Sequence, residues 1–162
     1  MTGVLTMAEY ATHTARMRDG FMPAARRGLK AGAQAARAVL VRESDAAGAV
    51  NYGTYRRAWT ATVITDDKIH LENACGYGGI IEGGRRAGAR TPPRAALAAW
   101  AMRKLHLDAS QAKTAGFLIA RAIAKRGLKP RRVMASAIPK IVKITRAEIF
   151  RAVHQALTAR GG

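Results

Sequence analysis

The sequence predicts an α+β fold: a small antiparallel sheet with a long basic glycine-rich loop, packed against several helices, plus a helical C-terminal extension. Three observations carry this. Strand-like alternation is confined to one stretch, 51–93, where a hairpin is expected at about 54–74. Nearly everything else has helical spacing with recognisable start and stop signals. Hydrophobic residues make up 49% of the chain but aromatics only 6%, so small side chains on closely packed helices must supply the core.

At 162 residues the chain is long enough to bury one real core. The expected division is a main domain over 1–132 and an extension over 133–162. The main domain comprises N-terminal helices within 7–42, the sheet and loop over 51–93, and helices within 92–126.

Thr6 and Glu9 have capping-box spacing, so a helix should begin near Met7 and run to about Arg18. Gly20 and Pro23 then interrupt it, because an interior proline removes a hydrogen bond and crowds the preceding turn. The segment 23–42 carries Leu29, Ala33, Ala36 and Leu40 along one stripe, and either two helices or one kinked helix satisfies the pattern. The polar segment 44–51 reads as a connector.

In the hairpin, Tyr55, Arg57, Trp59, Ala61 and Val63 fall on one side of an extended chain. Asp66 and Asp67 supply the turn, and Ile69 to Glu72 alternates again. The loop from Gly76 to Pro93 holds six glycines together with Arg85, Arg86 and Arg90. On composition it reads equally as a mobile connector or as a loop that orders against a neighbouring protein, which would account for Ile80 and Ile81.

Thr91-Pro92-Pro93 reads as a helix start with Thr91 as N-cap. Ala96, Leu97, Trp100, Met102 and Leu105 make that helix apolar on more than one side, which fits a buried helix. A further helix is expected from Ser110 to Arg126, ended by Gly127, with Ala115, Ile119, Ala122 and Ile123 facing inward. The segment 133–144 fits helix or strand, and Pro139 argues against a central strand. Thr145 and Glu148 repeat the capping-box spacing, so a last helix is expected over 146–158, with Ile149, Val153, Ala156 and Leu157 inside.

Charge is the strongest single signal, at +18. It is lopsided: residues 1–81 carry 10 basic and 7 acidic residues, whereas 82–162 carry 18 and 3. Such a field attracts polyanions or a partner with an acidic face. A lone cysteine, Cys75, excludes an internal disulfide and suits a reducing cytoplasm. The N-terminus lacks the basic and apolar regions of a signal peptide, and no apolar run approaches the ~20 residues of a membrane span.

Little in the sequence suggests catalysis. His13, His70, His106 and His154 are scattered, none at a metal-binding interval from a second ligand. Asp66 and Asp67 read as turn residues facing water rather than an acid–base pair. No Gly-x-Ser-x-Gly occurs, and the Gly76 to Ile81 segment fails the dinucleotide and P-loop patterns. No enzyme, cofactor or metal is expected. Arg85, Arg86, Arg90 and Arg94, with Arg126, Lys129, Arg131 and Arg132, form two basic clusters without the interleaved aromatics that stack on single-stranded bases.

The order of motifs resembles the tail-completion, or neck, proteins of long-tailed bacteriophages. Tyr-Gly-Thr-Tyr-Arg-Arg-Ala-Trp at 52–59 is similar to their strand entry. Tyr77 followed by Ile81-Glu82-Gly83-Gly84-Arg85 resembles their "Tyr…hydrophobic-Glu-x-Gly-(Thr)-Arg" segment, although Gly84 stands where a hydroxyl residue is usual. Pro92-Pro93 with the Trp100 helix follows in order. The run Ile119 to Arg131, IARAIAKRGLKPR, is similar to the family's "Ile-Ala-Arg-x-Ile-Ala-x-x-Gly-x-Lys-Pro-Arg" ending.

The resemblance covers roughly 25–133. It implies a non-catalytic ring subunit at the virion head–tail junction, assembled in the host cytoplasm. Its partners would be copies of itself, connector or head-closure proteins, and tail tube or terminator proteins, with non-specific contact to genomic DNA. The expected partner-docking loop is Tyr77, Ile80, Ile81, Glu82, Arg85, Arg86 and Arg90. Arg94, Arg126, Lys129, Arg131 and Arg132 would meet DNA or an acidic partner. The alternative is a basic, sequence-nonspecific nucleic-acid-associated protein.

Overall fold

The structure, a computed structural model, describes residues 6–49 and 53–159, apart from the side chains of His13, Arg16 and Met17. The opening Asn51-Tyr52 of the expected hairpin stretch and the His13 side chain therefore lie outside the described residues. The element order is α1 (Met7–Ala46), α2 (Thr54–Arg57), β1 (Trp59–Thr65), β2 (Lys68–Asn73), α3 (Gly78–Gly83), α4 (Arg94–Leu105), α5 (Ala109–Arg126) and α6 (Val133–Thr158). This is the α+β fold with a two-stranded antiparallel sheet and a C-terminal helix.

The chain divides into two compact units. The first takes the described residues of Met1–Arg42, Trp59–Glu72 and Ala135–Gly162; the second takes Glu43–Ala58 and Asn73–Met134. The expected boundary at 132/133 thus needs correcting. The C-terminal residues are no appendage, because they complete a unit with the N-terminal helix.

In the first unit α1 is one helix, with Pro23 inside it. Its start is the expected box: the Thr6 N–H donates to Glu9 and the Glu9 N–H to Thr6 Oγ1. Continuity past Gly20 and Pro23 follows from packing. Ala24, Leu29, Ala33, Ala36 and Leu40 are all buried, and that stripe outweighs one lost backbone bond. α6 lies against it at backbone distance. A Cβ added at Gly28 would stand 2.5 Å from Ile149 Cα, and one at Gly32 would stand 2.8 Å from Thr145 Cγ2. Glycine lets two helices meet where any side chain would hold them apart.

The same contact corrects the reading of Thr145. α6 is continuous from Val133 to Thr158, with Pro139 in its interior. Thr145 is pressed on Gly32 instead of capping, and its Oγ1 is buried without a partner. Glu148 pairs with Arg151 on the outer side. Of the expected inner residues, Leu157 is exposed.

The hairpin is shorter than 54–74. Strand pairing begins at Trp59, and Tyr55 sits instead in the single turn of α2, which follows Gly53 at φ 70°. From Trp59 the alternation holds. Trp59, Ala61 and Val63 turn inward with Ile69 and Leu71, and the intervening residues are exposed. Arg37 Nε donates to the Trp59 carbonyl at 3.0 Å, tying the strand start to α1. Both turn carboxylates are engaged: Asp66 pairs with Arg26, and Asp67 accepts from Thr65 Oγ1 at 2.6 Å. That hydrogen bond holds the Asp67 carboxyl below its ordinary range.

In the second unit the expected connector at 44–51 begins as helix. α1 runs to Ala46, Ser44 is buried, and the chain turns at Gly48. The cap of α4 lies two residues beyond the expected Thr91, at Pro93, and it makes no side-chain capping bond. α5 starts with a full capping box between Asp108 and Gln111, and Gly127 follows its end as expected. Its buried line is Ala112, Gly116 and Ala120; Ala122 is exposed. Gly116 explains the shift, since a Cβ there would lie 2.8 Å from the Ala98 nitrogen of α4. The helices pair through small residues, so the larger side chains stay outside. α4 is therefore not a helix buried on all sides: Met102 and Leu105 are about half exposed.

Candidate partner-binding surface

The glycine-rich stretch 76–93 is not a loose loop. Its first part coils into α3, and Gly84 leaves the helix at φ 72°, ψ −161°, a backbone conformation open essentially to glycine alone. That geometry aims the next residues along the segment after α5. Arg85 and Leu128 exchange both backbone hydrogen bonds, at 2.9 and 2.8 Å. Arg131 N–H donates to the Ile81 carbonyl, and Gly88 N–H to the Ala124 carbonyl. Residues 81–88 thus run antiparallel to 124–131. A Cβ at Gly84 would stand 2.4 Å from the Leu128 oxygen, and one at Gly127 would stand 2.2 Å from the Arg85 oxygen. Two glycines permit the approach.

This pairing sorts the expected docking residues. Glu82 is half-buried and engaged within the fold. Its carboxylate accepts from the buried Tyr55 hydroxyl at 2.6 Å and from the Met134 N–H at 3.2 Å. A carboxylate on the first turn of α6 also meets the positive end of the helix dipole. Burial first, then the bond to Glu82 and its charge, push the Tyr55 phenol far above its ordinary range. Ile81 is half-buried, and Arg85 is half-buried with an Nε that has no partner. Tyr77 and Ile80 are exposed, as are Arg86 and Arg90. Burial and a hydrogen bond with Cys75 raise the Tyr77 phenol.

The second cluster is outward. Arg94, Arg126, Lys129, Arg131 and Arg132 are all exposed. The Arg131 guanidinium also donates to the Ala47 carbonyl, which fixes it in place. Arg132 holds φ 51°, uncommon for a side chain of its size. Arg94 lies 4.7 Å over the Phe117 ring, a cation–π contact at the edge of a groove of about 470 Å³ lined by Ala95, Ala98, Lys113 and Thr114 as well.

Sequence reasoning missed Tyr55 as the partner of Glu82, for which no local signal exists. It also missed the exposed apolar set of the second unit, Met102, Leu105, Phe117 and Leu118. Small residues at 112, 116 and 120, spaced along one line of α5, were the available clue. In the first unit Ile138, Val142 and Phe150 are exposed on α6, with Phe150 stacked on His154 at 6.2 Å. Among the described residues no three His, Cys, Asp or Glu side chains converge as metal ligands, and no helix is long and apolar enough to cross a membrane. No family model matches this chain, and neither a curated protein nor a solved structure matches it.

Proposed function

We propose that the chain is a structural, non-catalytic virion subunit that forms a ring at a phage head–tail junction and joins a connector to the tail. The supporting observation is the apolar surface left uncovered on the second unit. Met102, Leu105, Phe117 and Leu118 are each 40% exposed or more, on helices whose own contact uses alanine and glycine. A subunit that keeps its large apolar groups outside gains by burying them against copies of itself, and head-to-tail contacts between identical subunits close into rings. The motif order from Tyr77 to Arg131 gives the same direction. Size-exclusion chromatography with light scattering, followed by particle imaging, tests it. A closed ring, formed alone or with head-closure and tail proteins, is expected. A protein that stays monomeric beside those partners and turns over a small molecule would end the reading.

A second reading is a basic nucleic-acid-associated protein acting as a monomer. It is favoured by residues 83–132, which hold 13 basic residues and one acidic residue, Asp108. Tight duplex binding by a chain that never oligomerises would select it.

A further inference from the structure

The pairing of 81–88 with 124–131 joins two basic clusters that are about forty positions apart in the sequence into one ribbon. We propose that this ribbon is a binding site for the phosphate backbone of duplex DNA, read without base specificity. The inference rests on the architectural reading only for the source of the DNA, which is the genome at the junction.

The ribbon's chemistry favours phosphate over an acidic protein face. Arg86, Arg126, Lys129 and Arg132 are exposed, and none ion-pairs among the described residues. Glu82, the acidic residue nearest Arg86 in the chain, forms its hydrogen bonds with Tyr55 and Met134 instead of with these cations. A protein interface gains most of its affinity from a central apolar or aromatic anchor. Between Arg86 and Arg90 the chain offers only Ala87, Gly88 and Ala89, and the ribbon's large apolar side chains are two, Leu128 and the half-buried Ile81, with no aromatic among them. Phosphates need no such anchor: arginine forks and slender backbone suffice. Aromatic rings for stacking unpaired bases are missing from both segments, so a duplex is the better fit than a single strand.

The backbone geometry fixes where these cations stand. Gly84 and Gly127, both at positive φ, set the register, and Arg131 is anchored to Ala47. Charges presented from a held backbone lose less freedom on binding than charges on a loose tail. That distinguishes a built surface from general basicity.

The test is binding of the full-length protein to a fluorescein-labelled 30-base-pair duplex of arbitrary sequence, across a salt series. Arg86→Glu/Arg126→Glu/Lys129→Glu is compared with a control of equal charge change on other exposed cations, Lys30→Glu/Arg42→Glu/Lys143→Glu. The ribbon variant should lose at least about tenfold in affinity, with the slope of log K against log salt flattened by about 3. The control should lose much less. Arg86→Lys/Arg126→Lys should retain binding, and circular dichroism melts separate charge from unfolding. Equal losses in ribbon and control variants would overturn the proposal, as would unchanged binding by a folded ribbon variant. If the ribbon variant loses poly-L-glutamate but keeps DNA, the site takes acidic protein and the proposal is wrong. Ring formation is scored separately by imaging, so either idea can fail alone.

Discussion

The Tyr55 hydroxyl donates to the Glu82 carboxylate at 2.6 Å, and the same carboxylate accepts from the first turn of α6 through Met134. One acidic side chain therefore ties α2, α3 and the start of α6 within the second unit. Glu82→Ala should cost about 3 kcal/mol in urea unfolding, because it leaves a buried hydroxyl and a backbone N–H without their acceptor. Tyr55→Phe keeps the ring packed and should cost about 1 kcal/mol.

A pH consequence follows for Tyr55. Its phenol is raised above the ordinary 10.0 by burial and by Glu82, so the folded state holds that proton more tightly than the unfolded chain. The contribution is complete below about pH 10 and is lost as pH climbs beyond it. Unfolding free energy measured upward from about pH 9 should fall more steeply in the parent than in Tyr55→Phe. Parallel curves would refute the linkage.

Gly83 and Gly84 are neighbours with opposite requirements. An added Cβ at Gly83 meets nothing within 4 Å, whereas at Gly84 it meets the Leu128 carbonyl under a positive φ. Gly83→Ala should be neutral or slightly stabilising, and Gly84→Ala should cost at least about 2 kcal/mol. Thermal melts of the two variants check this directly.

Thr145 offers a test with the sign reversed from sequence expectation. As a helix cap, replacement by valine should destabilise by about 1 kcal/mol. With its hydroxyl buried and unpartnered, Thr145→Val should instead stabilise by about 1 kcal/mol. A lower melting temperature in this variant would restore the cap.

Assembly should depend on side chains that the fold itself does not need. Leu105→Glu with Phe117→Glu should leave the melting temperature within about 2 °C and abolish self-association, read by light scattering. Ile80→Ser should behave similarly, since Ile80 is exposed. Ile81→Ser should cost about 1–2 kcal/mol, because Ile81 is half-buried. Unaltered assembly in the Leu105/Phe117 variant would remove this face from the interface.

What could be read in advance was whatever short-range spacing determines. The α+β class, the period-two run from Trp59, the Leu29-to-Leu40 stripe and the Gly127 stop all depend on near neighbours. Two identical Thr-x-x-Glu signals met opposite fates because only one lies beside another helix. Thr6 is free to cap Glu9's turn, whereas Thr145 is spent against Gly32. The basic residues of the candidate site were legible as types. Their union was not, since it rests on Arg85 meeting Leu128 through two glycine conformations that no spacing rule encodes. Glu82 likewise looked like surface until Tyr55, far back in the chain, claimed it.

The seam where Gly28 meets Ile149 joins segments from nearly opposite ends of the polypeptide. During translation α1 therefore leaves the ribosome long before its cover exists, and its bare glycine-alanine groove waits while the whole second unit is made. Truncation that removes Thr145 to Ile149 would strand that groove permanently, so such a chain should be insoluble rather than a shortened, working subunit.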